Sequence, residues 1–146
     1  MYANFPLPDI NWGPTHPFWG AAARGELHIT RCDACGCYVW YPQPPCRACG
    51  SNRLSWTRVS GNGRLFSWSV VRHAFLPQFA AHLPLITALV ALDEDPRVRL
   101  VTMLCDTTPD ELRCDLPVHV VFRPLRFPGV DGEVMAPFFT KGDRHG

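Results

Sequence analysis

Five of the chain's seven cysteines fall in one nineteen-residue stretch, CDACGCYVWYPQPPCRACG, from Cys32 to Gly50. Cys32-x-x-Cys35 and Cys46-x-x-Cys49 are matching pairs, ten residues apart and each followed by a glycine, Gly36 and Gly50. In a Cys-x-x-Cys turn both sulfurs can face inward and occupy adjacent corners of a tetrahedron, and a second turn supplies the other two. A small residue after each pair lets the backbone turn tightly around an ion. The repeated knuckle, joined by the short apolar hairpin YVWYPQPP, predicts a zinc ribbon with Cys32, Cys35, Cys46 and Cys49 as ligands. Four thiolates close the coordination sphere to water and substrate, so the metal is expected to be structural. Iron in a rubredoxin-like site is the alternative, because four thiolates accept both metals. Disulfide pairing fits an oxidising compartment better than the cytosol. A thioredoxin-like site needs a strand-turn-helix context that neither pair has. Cys37 breaks the paired spacing and is read as a non-ligand. Cys105 and Cys114 are expected to be buried as small hydrophobic residues.

The chain has 146 residues, enough for one real core, and is 47% hydrophobic with fifteen prolines and eleven glycines. So many prolines and so few helix-period runs favour short strands and ordered loops. A formal charge of +1 argues against a protein built mainly to grip phosphate backbones. The start MYANFPLPDINWGP has neither a basic region nor an apolar run, so no secretory signal is expected, and no stretch reaches bilayer-spanning length. A cytoplasmic protein with no membrane partner is the expectation.

Residues 54–140 read as strands. RLFSWSVV places Phe66, Trp68 and Val70 on one face with Ser67 and Ser69 on the other, the period-two pattern of a half-buried strand. LITALVAL (85–92) suits a strand covered on both sides. VRLVTMLC (98–105) follows the turn DEDPR, and VHVVF (118–122) groups Val118, Val120 and Phe122. GNG (61–63) marks either a tight turn or a bulge in one long bent strand. In TTPDEL, Thr108, Pro109 and Glu111 spell a capped short helix. About five strands with one short helix fit a small, partly open barrel of the OB type.

Ahead of the ribbon, residues 16–29 predict a helix around Ala21 to Ala23, ended by Gly25, with Phe18 and Trp19 either capping the core or docking a partner. The loop RHAFLPQFAAHLP (72–84) is too long and too apolar for a plain hairpin, and Phe75 and Phe79 mark it as a contact surface. The six histidines, His16, His28, His73, His82, His119 and His145, show no metal-ligand spacing and no nucleophile motif, so they read as structural. No catalytic residue is assigned.

The ordered set PFWGAAARGEL, CDACG…PPCRACGS, SGNGRLFSWSVV, PLITALVALDE, TPDELRCDLPVHVVF and APFF resembles the acyl-CoA-associated zinc-ribbon plus OB-fold family, domain of unknown function number thirty-five. The likeness runs from about residue 16 to about 140. It implies a mainly β protein: an N-terminal helical arm (1–27), a rubredoxin-like zinc ribbon (28–53), a five-stranded OB-fold barrel with one short helix (54–140) and a tail (141–146). It implies the same four metal cysteines. One departure is Cys114, where relatives commonly carry glycine, which bears on the turn before the last strand.

The resemblance further implies a non-catalytic accessory subunit that binds and stabilises a thiolase-like, lipid-transfer-protein-type acyl-CoA enzyme. Retro-aldol cleavage in steroid side-chain degradation is one such reaction, with the chemistry on the partner. The subunit would help form a CoA or acyl channel, and Arg64, Arg72, Arg123 and Arg126 are candidate phosphate donors, though each is more ordinarily a surface arginine. The alternative is a zinc-ribbon and OB-fold nucleic-acid-binding protein, against which the near-neutral charge stands.

Overall fold

The structure is a computed structural model and describes residues 5–142. His145 and most of the 141–146 tail therefore lie outside the described residues. Helix α1 (His16–Ala23) opens the regular structure and ends before Gly25, whose φ of 73° is open to glycine at no steric cost. It buries Phe18, Ala21 and Ala22. Phe18 thus caps the core, which resolves the question the sequence left open for this arm.

Two sheets follow. The first is three-stranded, in the order β2 (Tyr38–Val39), β1 (Leu27–Cys32), β3 (Leu54–Val59), all antiparallel. The second is a closed five-stranded barrel formed by β4 (Asn62–Val71), β5 (Leu85–Leu92), β6 (Asp95–Leu104), β7 (Pro117–Leu125) and β8 (Val134–Lys141), in the order β4-β5-β6-β8-β7. This is the OB-type barrel that the strand pattern and the resemblance predict. Closure depends on β6 running parallel to β8, and their register holds a single pair, Leu104 with Phe139. Beside that pair Thr102 Oγ1 donates to Pro137 O at 3.1 Å and Cys105 N–H to Phe139 O at 2.9 Å, so the wall closes there through a few bonds rather than a full ladder.

The ribbon's sheet and the barrel share one core. Leu27, Ile29 and Val59 pack in the same buried cluster as Leu65, Val90, Val118 and Phe139. The link between the sheets is short: β3 ends at Val59 and β4 starts at Asn62. Gly61, at φ 81°, makes the turn. The segment around GNG is therefore a break between two sheets, and LSWTRV pairs with the ribbon's β1.

Two strand expectations need correction. In β4 the register shifts between Leu65 and Ser67, so Phe66 is the extra residue of a β-bulge. The alternation is reset there. Leu65 is buried, Phe66 turns out to solvent at 46% exposure, and Trp68 returns to pack on the core. Strand β5 is covered on one face only: Ile86, Ala88 and Val90 are buried, whereas Leu85, Thr87 and Leu89 are half-buried. Its near-continuous apolar run is that of an antiparallel strand whose outer face was left apolar. The capped helix at Thr108 is a single 3-10 turn, Pro109–Glu111, with the Glu111 carboxylate accepting hydrogen bonds from the Thr108 backbone N–H (2.8 Å) and hydroxyl (3.0 Å). The 72–84 loop folds part of itself into a 3-10 helix, Pro77–His82.

Candidate metal centre and apolar groove

The two knuckles repeat each other bond for bond. Cys32 N–H donates to Cys37 O at 2.9 Å and Gly36 N–H to Cys32 O at 2.9 Å. Cys46 N–H donates to Ser51 O at 2.8 Å and Gly50 N–H to Cys46 O at 2.8 Å. Gly36 and Gly50 sit at φ 75° and 74°, a region that side chains disfavour, so each glycine is what allows its knuckle to close. Arg31 braces the first knuckle by donating from Nε to Gly36 O at 2.7 Å, while its guanidinium lies over the Tyr38 ring.

The result is four sulfurs within 4.8 Å of one another, from Cys32, Cys35, Cys46 and Cys49. Across the pairs, Cys32 Sγ is 3.6 Å from Cys49 Sγ, and Cys35 Sγ is 3.7 Å from Cys46 Sγ. Tetrahedral Zn–S bonds of ~2.3 Å imply S···S separations of roughly 3.8 Å, so the quartet is spaced for one tetrahedral ion. Each knuckle gives one buried sulfur residue (Cys32, Cys46) and one exposed (Cys35, Cys49). Backbone N–H groups of Cys35 and then Ala34 are directed at Cys32, and together they hold its thiol down at about 6, near the thiolate form a metal requires. Cys37 is outside the quartet, as its spacing indicated.

The remaining cysteines divide. Cys105 is buried, and burial first, with Asp106 second, pushes its thiol up to about 11, as for an inert core residue. Cys114 is exposed, against the expectation of burial. It lies in the turn between the Pro109–Glu111 3-10 helix and β7, just before Asp115 N–H donates to Leu65 O at 3.0 Å.

Three of the four candidate phosphate-binding arginines are committed elsewhere. Arg64 faces Asp93 at 4.0 Å, Arg123 binds Asp106 at 3.0 Å and Arg126 binds Glu133 at 2.8 Å. Arg72 is in no ion pair among the described residues. The described histidines hold structure: His16 Nδ1 is 2.9 Å from Ile10 O, His28 Nε2 is 3.1 Å from Glu26, and His119 Nδ1 is 2.9 Å from Gly142 O.

A second feature went unread in the sequence. Beside β6 and β8 the segment from Phe5 to Trp12 crosses outside the barrel, held by Phe5 N–H donating to Arg126 O at 3.0 Å and by the Phe5 ring standing edge-on to Phe79. Phe79 is therefore an anchor for this strap rather than a contact surface. Between strap, α1 and barrel lies a groove of about 620 Å³, walled by Trp12, Trp19, Trp40, Tyr41, Met103 and Phe138 among others. Trp40 and Tyr41, stacked with centroids 5.1 Å apart, separate it from a second cleft of about 590 Å³ beside the ribbon. The buried Trp40 Nε1–H has no acceptor among the described residues. The sequence signal was the density of aromatic residues in NWGPTHPFW and YVWY, which carries no distance information.

This geometry defines a class: a protein with a four-cysteine ribbon positioned for a metal, an OB-type barrel and an open apolar groove. The comparisons identify the family. The family model described as the ChsH2 rubredoxin-like zinc ribbon domain matches residues 19–55, and that of the ChsH2 C-terminal OB-fold domain matches residues 56–123. A DUF35 domain-containing scaffold protein of Methanothermobacter thermautotrophicus is 34% identical over 122 residues, covering 81% of this chain and 87% of its own. One of Pyrococcus furiosus, with the same description, is 32% identical over 100 residues, covering 67% and 71%. Among solved structures, the Ltp2-ChsH2(DUF35) aldolase superposes with a TM-score of 0.76 at 32% identity, covering 92% of this chain and 98% of that one. A DUF35-family protein from Sulfolobus solfataricus shares the fold at 9% identity, with a TM-score of 0.60. The chain belongs to the DUF35 family of zinc-ribbon plus OB-fold proteins.

Proposed function

We propose that this chain is a non-catalytic accessory subunit that binds and stabilises a thiolase-like, Ltp2-type acyl-CoA enzyme. The observation that carries the reading is a four-cysteine site that would fill an ion's coordination sphere, in a chain that superposes over 92% of its length on the ChsH2(DUF35) component of an aldolase. An ion with four thiolate ligands has no corner for substrate, so it braces the ribbon. In our reading the ion is zinc, held by Cys32, Cys35, Cys46 and Cys49, with iron the alternative. The arm is 1–27, the ribbon 28–53 with β3 (Leu54–Val59) completing its sheet, the barrel the remainder of 54–140 and the tail 141–146, and the setting is cytoplasmic. No helix among the described residues is long and apolar enough to cross a membrane.

The partner performs retro-aldol cleavage of a hydroxyacyl-CoA in steroid side-chain breakdown, and the groove beside β6 and β8 forms part of the acyl channel. Its volume of about 620 Å³ falls in the range of small-molecule sites, and its walls are largely aromatic. Nucleic-acid binding is not favoured, because Arg64, Arg123 and Arg126 are already paired with carboxylates.

The test is co-expression with the Ltp2-type thiolase homologues of the same organism, followed by size exclusion and an acyl-CoA cleavage assay. A homologue that is insoluble or inactive alone and rescued by this chain supports the reading. Unchanged behaviour of every homologue with and without the chain refutes it.

A further inference from the structure

The outward-facing residues of three barrel strands form one continuous surface. Ser67 of β4 pairs with Leu89 of β5, which pairs with Val101 of β6. In the next row outward, Ser69 pairs with Thr87 and Thr87 with Met103. Val101 is 68% exposed, and the bulge adds Phe66. At the end of this face, where Val71 pairs with Leu85, the 72–84 loop lifts Phe75 to 90% exposure, with Leu76 beside it at 50%. Isolated apolar side chains on a surface are ordinary, but a registered row continuous with an apolar loop tip marks an interaction site.

The Arg64–Asp93 ion pair lies in the same cross-strand row as Arg99, by way of Ala91, and the charges of this surface left without an ion pair among the described residues are arginines. The Arg99 guanidinium lies 3.7 Å from the Phe66 ring centroid, and it forms no ion pair among the described residues. Arg72, directly after β4, forms none either. Strand β5 carries no charged residue, and the nearest acids in sequence, Asp93 to Asp95, sit at the turn at the opposite end from the loop. A partner surface that is apolar at its centre with carboxylates at its rim would complement both features. Thr87, Val101 and Met103 belong to this face and also line the 620 Å³ groove, so whatever covers the face also closes the groove's mouth.

We propose that the outer face of β4, β5 and β6, together with the Phe75 loop tip, is the surface that docks the catalytic subunit, through an apolar patch on that subunit rimmed by carboxylates. This rests on the accessory-subunit reading above. Phe75 is the anchor that enters a pocket of the partner, and Arg99 and Arg72 meet its carboxylates.

The experiment measures affinity, by titration calorimetry, between the full-length chain and the Ltp2-type subunit that co-purifies with it, for wild type, Phe75→Ala, Arg99→Glu and the ribbon control Arg53→Ala. The three substituted side chains are exposed, so melting curves should stay close to wild type. Phe75→Ala and Arg99→Glu are expected to weaken binding at least tenfold, with Arg53→Ala unchanged, and Arg99→Glu should flatten the salt dependence. Wild-type affinity in both face variants would overturn the docking face while leaving the accessory role intact. Absence of binding by the wild type to any such subunit would overturn both. Light scattering on the chain alone adds two further arms. A dimer dispersed by Phe75→Ala would assign the face to a second copy and overturn the proposal. So would oligo(dT) binding by the wild type that Phe66→Ala abolishes.

Discussion

Gly63 lies so close to the neighbouring strand that a Cβ built on it would stand 2.5 Å from the Ala91 carbonyl oxygen and 2.8 Å from Val90 Cγ1. The first contact is with backbone, which cannot rotate aside. This glycine is where β4 is pinned on both sides, pairing with Leu92 of β5 and with Val118 of β7. Gly63→Ala is expected to destabilise the chain by about 1–3 kcal/mol through overpacking. Denaturant unfolding checks it. Stability within error of wild type would mean that the barrel wall yields there.

Metal removal should act on the ribbon first. Zinc-finger peptides gain roughly 10–16 kcal/mol from their ion, and the two knuckles lie outside the core that the ribbon's strands share with the barrel. Cys46→Ser is expected to abolish the stoichiometric ion seen by elemental analysis and to lower the melting temperature sharply. Cys37→Ser should retain the full metal content. Equal metal loss in both variants would place Cys37 among the ligands. A tetrathiolate iron site would be coloured and a zinc site colourless, so absorbance distinguishes the two.

The chain's one lysine gives a pH prediction. Lys141 Nζ donates to Glu111, and this contact, followed by the Thr108 backbone N–H, lowers the Glu111 carboxyl from 4.5 to about 2. A carboxyl depressed in the folded state stabilises above its unfolded value and loses that contribution as pH falls through the folded one. The melting temperature of wild type should therefore exceed that of Glu111→Gln at neutral pH, and the gap should close as pH falls from about 4.5 towards 2. In Lys141→Met, the Glu111 carboxyl followed by NMR should titrate closer to 4.5. A gap that stays constant across that window would rule out the carboxylate as its source.

Thiol reactivity should separate the two cysteines of the barrel. Cys105 is buried, with its thiol raised to about 11, while Cys114 is exposed. Iodoacetamide at about pH 8 is expected to modify Cys114 in the native metal-loaded protein and Cys105 only after unfolding, as mass spectrometry of the peptides would show. Rapid native labelling of Cys105 would contradict its place in the core.

Where chemistry depends on neighbours in the chain, the residues could be read directly. The metal quartet was legible because each knuckle is local: sulfurs three residues apart and a glycine one residue on determine the turn whatever surrounds it. Helix α1 and the Thr108–Glu111 contact were legible for the same reason, since caps join residues a few positions apart. Strand patterns also located β4 to β7, whereas β8 entered only as the APFF of a resemblance to a family that the comparisons then showed.

Tertiary packing decided the rest. Phe66 left its expected face because the bulge is a mismatch between two strands, and one strand's pattern holds no record of its partner's register. The outer side of β5 is uncovered because no other layer packs there, which its apolar run could not reveal. The groove exists because β6 and β8, thirty residues apart in sequence, come together beside α1, and because Phe5 anchors a strap across them. Spacing along the chain specifies a local turn, whereas a surface assembled from distant segments is specified only by how those segments pack.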